Sequence, residues 1–390
     1  MLTTPLARAT IGIRASGAKR DTGIGTMSEA ATEGKRTGIR WGIIGPSLAF
    51  AIFAAAYSVY WFTIAGEVRK AVEIYAARSE KEVVTSWDGF AVGGYPFRIE
   101  AQFTAPKAAA PATPEKWEWQ GEGAYLALQP HNLRHMVLTL EGEQRLSYRD
   151  LRTAARATNE ARFTAGSAQA SYVLLEDKPF GRLAIDMEAL KGEHHLGAND
   201  TTEELTAKRL QLHARPAESP EGIKEPGSYD IALQAEDVDV DSTTKIPALG
   251  PRMEFFLAQT RLRGLPPGNY VSLVELMRDW QAAGGTLAIS DLAVKWGPLD
   301  LYASGELGLD AKHRPEGQLD ARITDFEGLL DAMVEDGIVQ EREARIAMAG
   351  LVLVSQFQGS KSNEIRMPVI MREGKLYLGP LVIAKLEPLY

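Results

Sequence analysis

The residues best suited to chemistry are a handful of histidines and aspartates. His131 and His135 have the H-x-x-x-H spacing of two zinc ligands on a helix, but the glutamate of H-E-x-x-H is missing and Pro130 precedes them. A loop-and-strand setting aims such rings apart, away from a shared metal. His194 and His195 lie in a polar stretch read as a solvent-exposed loop. Asp237, Asp239 and Asp241 suggest a cation site, yet they lack EF-hand spacing and alternate with Val238 and Val240, which makes them the wet face of a strand. Gly121-Glu-Gly123 stands alone without the rest of a dinucleotide fingerprint, and neither a phosphate-binding G-x-x-x-x-G-K-S/T loop nor a G-x-S-x-G nucleophile elbow occurs. The chain has no cysteine, which excludes disulfides, thiolate metal sites and thiol catalysis. No cofactor, metal or catalytic residue is therefore expected. The many acids leave a carboxylate-based hydrolase as a minor reading.

The elements around these residues speak more clearly. No residue from Trp41 to Gly66 is charged. At about 1.5 Å per residue this run crosses a hydrocarbon core of roughly 30 Å with some tilt. Trp41 and Tyr60-Trp61 lie near its ends, where aromatic belts belong, and Pro46 falls in the first turns, where its missing N–H costs little. Ala54 and Ala56 offer an A-x-A spacing for signal cleavage, but the apolar run continues through Val59, Trp61, Phe62 and Ile64, which favours a retained anchor. Residues 1–40 read as a basic cytoplasmic tail of unstructured coil, net +4 in a chain of net −8, and Met27 offers an alternative translation start. Arg36 and Arg40 just before the span place the N-terminus in the cytoplasm and the bulk in the periplasm. That bulk carries −12, which repels phosphate backbones, so nucleic acid is not an expected partner.

Beyond the anchor, residues 67–85 read as a helical stalk. From Phe97 onward apolar and polar residues alternate with period two: Leu183, Ile185, Met187, Ala189; Leu210, Leu212, Ala214; Ile231, Leu233, Ala235; Ile365, Met367, Val369, Met371. Such strands bury one face and wet the other, as antiparallel sheets do. The expected fold is mainly β, a β-rich α+β protein: an N-terminal transmembrane helix followed by an elongated, curved, largely antiparallel sheet with a few short helices. Those helices fall near 271–283, stopped by Gly284-Gly285, and within 326–348, where Asp325 is a good N-cap. Trp280 and Trp296 are read as core packing. Trp117 and Trp119, two apart, should share one sheet face as a core patch or an exposed strip. The Pro/Ala-rich run 105–114 reads as an exposed loop. Pro216–Pro226, with three prolines in a polar run, suggests a boundary between β-rich subdomains at 86–215 and 227–390.

Several segments resemble an uncharacterised family of membrane-anchored periplasmic proteins of Gram-negative bacteria. They are Tyr60–Phe62 (YWF), Gly94–Glu100 (GYPFRIE), Leu126–His135 (LALQPHNLRH), Leu212–Pro216 (LHARP) and above all Trp280–Met333. Within the last block, Gly305-Glu-Leu-Gly-Leu-Asp310, Gly317-Gln-Leu-Asp-Ala-Arg-Ile323 and Leu329-Leu330 are more distantly similar to AsmA-like proteins and the type II secretion component N. This resemblance implies a curved sheet with an apolar inner face and a role in the cell envelope. The expectation is a non-enzymatic protein of the bacterial inner membrane, anchored through residues 41–66, that binds a lipid or an envelope protein partner. Leu299, Leu301, Leu307 and Leu309 are the candidate apolar ligand face. The rival expectation is a structural assembly factor docking on a secretion or envelope complex by strand addition.

Overall fold

The computed structural model describes residues 41–77, 82–152, 156–176, 180–218, 224–240, 247–346, 348, 364–379 and 381–390. The basic tail 1–40, Met27 and Asp241 lie outside the described residues. Residues 1–54 and 55–390 form two separate compact units. In the first, the described residues belong to helix α1 (Trp41–Ala77), whose stretch Ile44–Ala77 is long and apolar enough to cross a membrane. The helix ends at Ala77 and residues 84–86 are already a strand, so it stops short of the expected 85.

In the second unit, the strands before the first inserted helix are β1 (Val84–Ser86), β2 (Gly89–Gly93), β3 (Ile99–Thr104), β4 (Lys107–Ala109), β5 (Glu118–Gln129) and β6 (Asn132–Arg149), then β7 (Thr158–Thr164), β8 (Ser167–Val173), β9 (Arg182–Leu196), β10 (Thr201–Glu218), β11 (Lys224–Val240) and β12 (Arg252–Arg263). Helix α2 (Leu273–Ala282) leads to β13 (Thr286–Trp296), β14 (Leu299–Leu309) and β15 (Pro315–Thr324). Helix α3 (Phe326–Glu335) precedes β16 (Glu364–Arg372), β17 (Lys375–Leu378) and β18 (Leu381–Lys385). Every pairing is antiparallel. β2 and β1 pair with β3 and β4, which both pair with β5; β5 pairs with β6. β8 and β7, end to end, fill the row between β6 and β9. From β9 to β18 each strand pairs with the next.

In the stretch Pro216–Pro226, read as a subdomain boundary, residues 219–223 lie outside the described residues, and β10 and β11 on either side of them pair with each other in one sheet. Pro216 sits inside β10 opposite Tyr229. It is tolerated because β9 pairs with β10 only as far as Ala214, so the side of Pro216 that lacks an N–H has no neighbouring strand to satisfy. The run 105–114 likewise contains β4 instead of being loop throughout, and His194 and His195 lie in β9 instead of a loop. Trp117 precedes β5, where Ala110 N donates to its carbonyl, and gives its Nε1–H to Val271 O; Trp119 is a strand residue opposite Leu146.

The helices start and stop where their caps dictate. Ser272 Oγ accepts from Glu275 N, and Gly284 N and Gly285 N close onto Gln281 O and Trp280 O. Asp325 caps α3, which ends at Glu335, and residues 341–346 form a separate helical turn. Trp280 is buried and Trp296 packs against the core cluster beneath α3, as expected of both.

At one place the alternation slips phase in three adjoining strands together. Leu183, Ile185 and Met187 give way to Leu190; Leu212 and Leu210 to Ala207 and Leu205; Leu233 and Ala235 to Val238. Met187, Leu210 and Ala235 face one another, as do Leu190, Ala207 and Val238, with register unbroken between them. In the row between, Ala189 and Asp237 adopt left-handed backbone, φ 51° and 47°. One such residue turns the following side chains to the other side of the strand. Apolar residues on both sides of the slip therefore join one core, with Met253 and Phe256 packed against it.

Candidate functional site: an apolar track along the sheet

Strand register assembles what period-two alternation only hints at. Val92 on β2 pairs with Ala101, Ala101 with Leu126, and Leu126 with Leu138. Leu138 pairs with Ala170, Ala170 with Ile185, Ile185 with Leu212, and Leu212 with Leu233. Ala258, Leu292, Ala303, Ala321 and Met367 carry the row to β16. No polar residue interrupts it. At an inter-strand spacing of about 4.8 Å, this track follows the sheet for about 60 Å. A parallel row runs beside it from Ile99 through Leu128, Met136, Tyr172 and Leu183 to Ala214 and Ile231. The opposite face of the same strands is Ser171, Ala184, His213, Ala232 and Gln259.

The track is covered at its ends and open in its middle. At β2 and β3, Trp61 and Ala65 of α1 pack on Ile99 with Tyr57, Ile64, Val68 and Val92 around them, and Ala101 is fully buried. At the far end α3 supplies Phe326, Leu329, Leu330 and Met333 to a cluster with Ile323 and Ile365. Between these lids Leu126, Leu138, Ala170, Ile185, Leu212 and Ala258 are only half-buried, and Leu233 is 40% exposed. A continuous, partly wet apolar strip of this length differs from the scattered exposed leucines of an ordinary surface.

Two contacts tie distant rows of the sheet together. Phe180, in the β8–β9 connection, touches Tyr172 on β8 and Tyr229 on β11, with ring centroids 5.7 Å apart in each pair. Those strands are three spacings apart, about 14 Å on a flat sheet, and both tyrosines point to the apolar side, which we call the inner face. Burial pushes the Tyr229 phenol up. In addition, Glu115 before β5 accepts from Ser272 Oγ (2.7 and 2.8 Å) and Val274 N (2.9 Å) at the start of α2, six sheet rows away.

Leu299, Leu301, Leu307 and Leu309 share this inner face. Leu299 faces Trp296, Leu301 faces Val294 and Ile323, and Leu307 faces Leu287 and Gly317. Leu299 and Leu301 pack against the cluster beneath α3, and Leu307 against Leu319 and Val369. All four are half-buried, like the track residues of β5 to β12, and Leu299 and Leu301 lie next to the part of the track that α3 covers. Their neighbours explain the two motif glycines. Side chains at Gly305 and Gly317 would meet Gln318 O at 2.2 Å and Glu306 O at 2.3 Å on the adjoining strand. The open-stretch residues Leu126, Leu138 and Tyr172 escaped sequence reasoning; alternation in 124–128 and 136–140 was the signal available.

The outer face is polar and internally paired. A depression of about 770 Å³ there is lined by Arg182, His213, Arg215, Asp230 and Arg261 over Ala184 and Ala232. Arg261 Nε lies 2.8 Å from Asp230 Oδ1, and Arg215 Nη2 3.4 Å from Oδ2. Arg209 grips Asp186 with both nitrogens (2.9 and 2.6 Å) and holds its carboxyl below the ordinary range. Asp150 is lowered by Arg152, Glu236 by Lys208, and Asp237 by Arg252. Burial pushes Asp310 up, but Arg314 and backbone N–H groups more than reverse it.

His131 and His135 are not brought together as ligands: His131 is exposed in a turn, and His135 Nε2 lies 2.8 Å from Ser171 Oγ. His194 Nε2 lies 3.0 Å from Tyr148 Oη, beneath a stacked ring. No group of three metal-ligating side chains occurs among the described residues.

Fold and track define a β-rich protein with an N-terminal helix able to cross a membrane and a long sheet that is apolar on its inner side. The chain belongs to DUF2125, a family of uncharacterized proteins conserved in bacteria, which it matches over residues 61–387. No curated protein matches the sequence.

Proposed function

We propose that this is a non-enzymatic envelope protein, anchored in the bacterial inner membrane with its sheet in the periplasm, whose inner face holds the acyl chains of a lipid. The observation that carries the reading is the unbroken apolar row from Val92 to Met367, closed by helices at both ends and open between. Acyl chains match such a surface, because their stabilisation scales with apolar area removed from water and needs no directional partner. The similarity of the Gly305–Asp310 and Gly317–Ile323 segments to AsmA-like proteins agrees with it. Native mass spectrometry with organic extraction, on full-length protein taken from membranes, tests it. Co-purifying phospholipid that is lost in Leu212→Asn and Leu233→Asn variants supports the proposal. Lipid-free protein, or lipid retained in both folded variants, sinks it.

A second reading has its own observation. β18 pairs only with β17 among the described strands, and Val382 on it is 46% exposed, so this edge offers an added-strand site to a protein partner. Crosslinking in cells that yields one dominant protein adduct through β18 would favour the docking role.

A further inference from the structure

Outside α1, the large apolar residues left exposed include four at one end of consecutive sheet rows. Tyr95 (48% exposed) and Phe97 (86%) lie in the β2–β3 turn, Leu133 (40%) opens β6, and Leu174 (46%) follows β8. Leu174 N donates to Arg134 O, so the last two belong to one rim. The turns that carry this rim are bonded to the helix. Tyr57 Oη donates to Pro96 O (2.6 Å), Tyr60 Oη to Pro130 O (2.7 Å) and Trp61 Nε1 to Arg98 O (3.1 Å), while Phe62 stacks on Tyr95 at 5.5 Å.

These bonds also bound the span. Trp61 and Ala65 belong to the uncharged run yet are 3% and 7% exposed against the sheet, so they do not face lipid. The twenty residues from Trp41 to Tyr60 suffice for a hydrocarbon core of about 30 Å. Tyr57 and Tyr60 then fall at the interface, where tyrosine belongs, and the turns they hold fall there with them.

We propose that the rim of Tyr95, Phe97, Leu133 and Leu174 is seated in the interfacial layer of the membrane that α1 crosses, so that the inner face of the sheet opens edge-on to the bilayer. The occupant of this apolar surface is the lipid surface itself and not a protein, because the rim is continuous with the end of the anchor. The basic side chains beside it, Arg98 and Arg134, are more than half exposed and are paired with Glu100 and Glu176. This inference rests on the anchor and not on the lipid-holding role of the track, so the two can fail separately.

The absence of cysteine provides a clean test. Single Phe97→Cys, Leu133→Cys and Leu174→Cys variants of the full chain would carry an environment-sensitive fluorophore. Each would be reconstituted in vesicles of phosphatidylethanolamine and phosphatidylglycerol with and without shallow doxyl-labelled lipid. Asp200→Cys is the control, since Asp200 has a side chain 95% exposed and lies at the opposite end of the strands, between β9 and β10. The expected result is quenching by doxyl lipid at all three rim positions, several-fold stronger than at 200, with the reverse order for aqueous iodide. Rim labels that behave like the control, or that are shielded from iodide without responding to doxyl lipid, would overturn the proposal.

Discussion

Replacing Leu233 by asparagine separates a ligand-bearing face from an ordinary core. Leu233 sits in the centre of the track, opposite Leu212 and Ala258, and is two-fifths exposed. Fully burying a leucine is worth about 1.5–3 kcal/mol, so the part of Leu233 that is covered contributes about 1–2 kcal/mol, and an asparagine there keeps contact with water. Ile323, on the same face but 1% exposed beneath α3, is the comparison: Ile323→Ala should cost about 2–5 kcal/mol through lost transfer energy and a cavity. For a bound acyl chain the ranking reverses. Leu233→Asn removes apolar contact with the chain and presents an amide to it, a loss of about 2 kcal/mol, or roughly 30-fold in retention. Denaturant melts give the first pair of numbers and the lipid-to-protein ratio in native mass spectra gives the second. Equal destabilisation by the two substitutions would mean that the middle of the track is buried core, and the reasoning would fail.

Other expectations follow from particular contacts. Glu115→Ala should destabilise the protein by about 1–3 kcal/mol, because the hydroxyl proton of Ser272, 1% exposed, and the N–H of Val274 both lose their acceptor while Ser272 Oγ keeps only the bond from Glu275 N; thermal denaturation reads this directly. Ala189→Gly should stabilise by up to about 1 kcal/mol by relieving a left-handed alanine at the phase slip, whereas Ala189→Val should destabilise; the pair of melting shifts must have opposite signs. Gly305→Val should prevent β14 and β15 from closing, and hydrogen exchange across Leu299–Thr324 would show the loss. Asp186 titrates below its ordinary value in the folded state, so its stabilisation is complete above about pH 4 and is lost as pH falls through the depressed value. An Asp186→Asn variant should therefore show a shallower loss of stability between about pH 4 and 2 than the parent.

Much of this fold is legible in the sequence, and the unreadable parts have physical causes. Alternation such as Leu183, Ile185, Met187 marks both a strand and its buried side, because side chains on a strand alternate with period two. The apolar run 41–66 marks a helix able to cross a membrane, but hydropathy alone cannot distinguish lipid from protein as its apolar neighbour. Trp61 and Ala65 read as membrane residues and are packed on Ile99. The track itself needs register, since Leu126, Ile185 and Ala258 lie far apart in the chain and join one row only through a succession of pairings. Pro216 reads as a break because proline interrupts a ladder, and only the early end of β9 shows why it does not. The clasp of Glu115 on α2 joins residues more than 150 positions apart, and no local pattern announces it.

The most direct test of the central claim is photocrosslinking in intact cells with a photoreactive phenylalanine analogue placed at Leu138, Ile185 and Leu212 on the inner face, and at Thr139, Asp186 and His213 on the outer face. Lipid adducts are expected from the first three positions and none from their immediate neighbours, an alternation that only one-sided occupancy of the sheet produces. Adducts of equal yield from both sets, or none from the inner set, would contradict it.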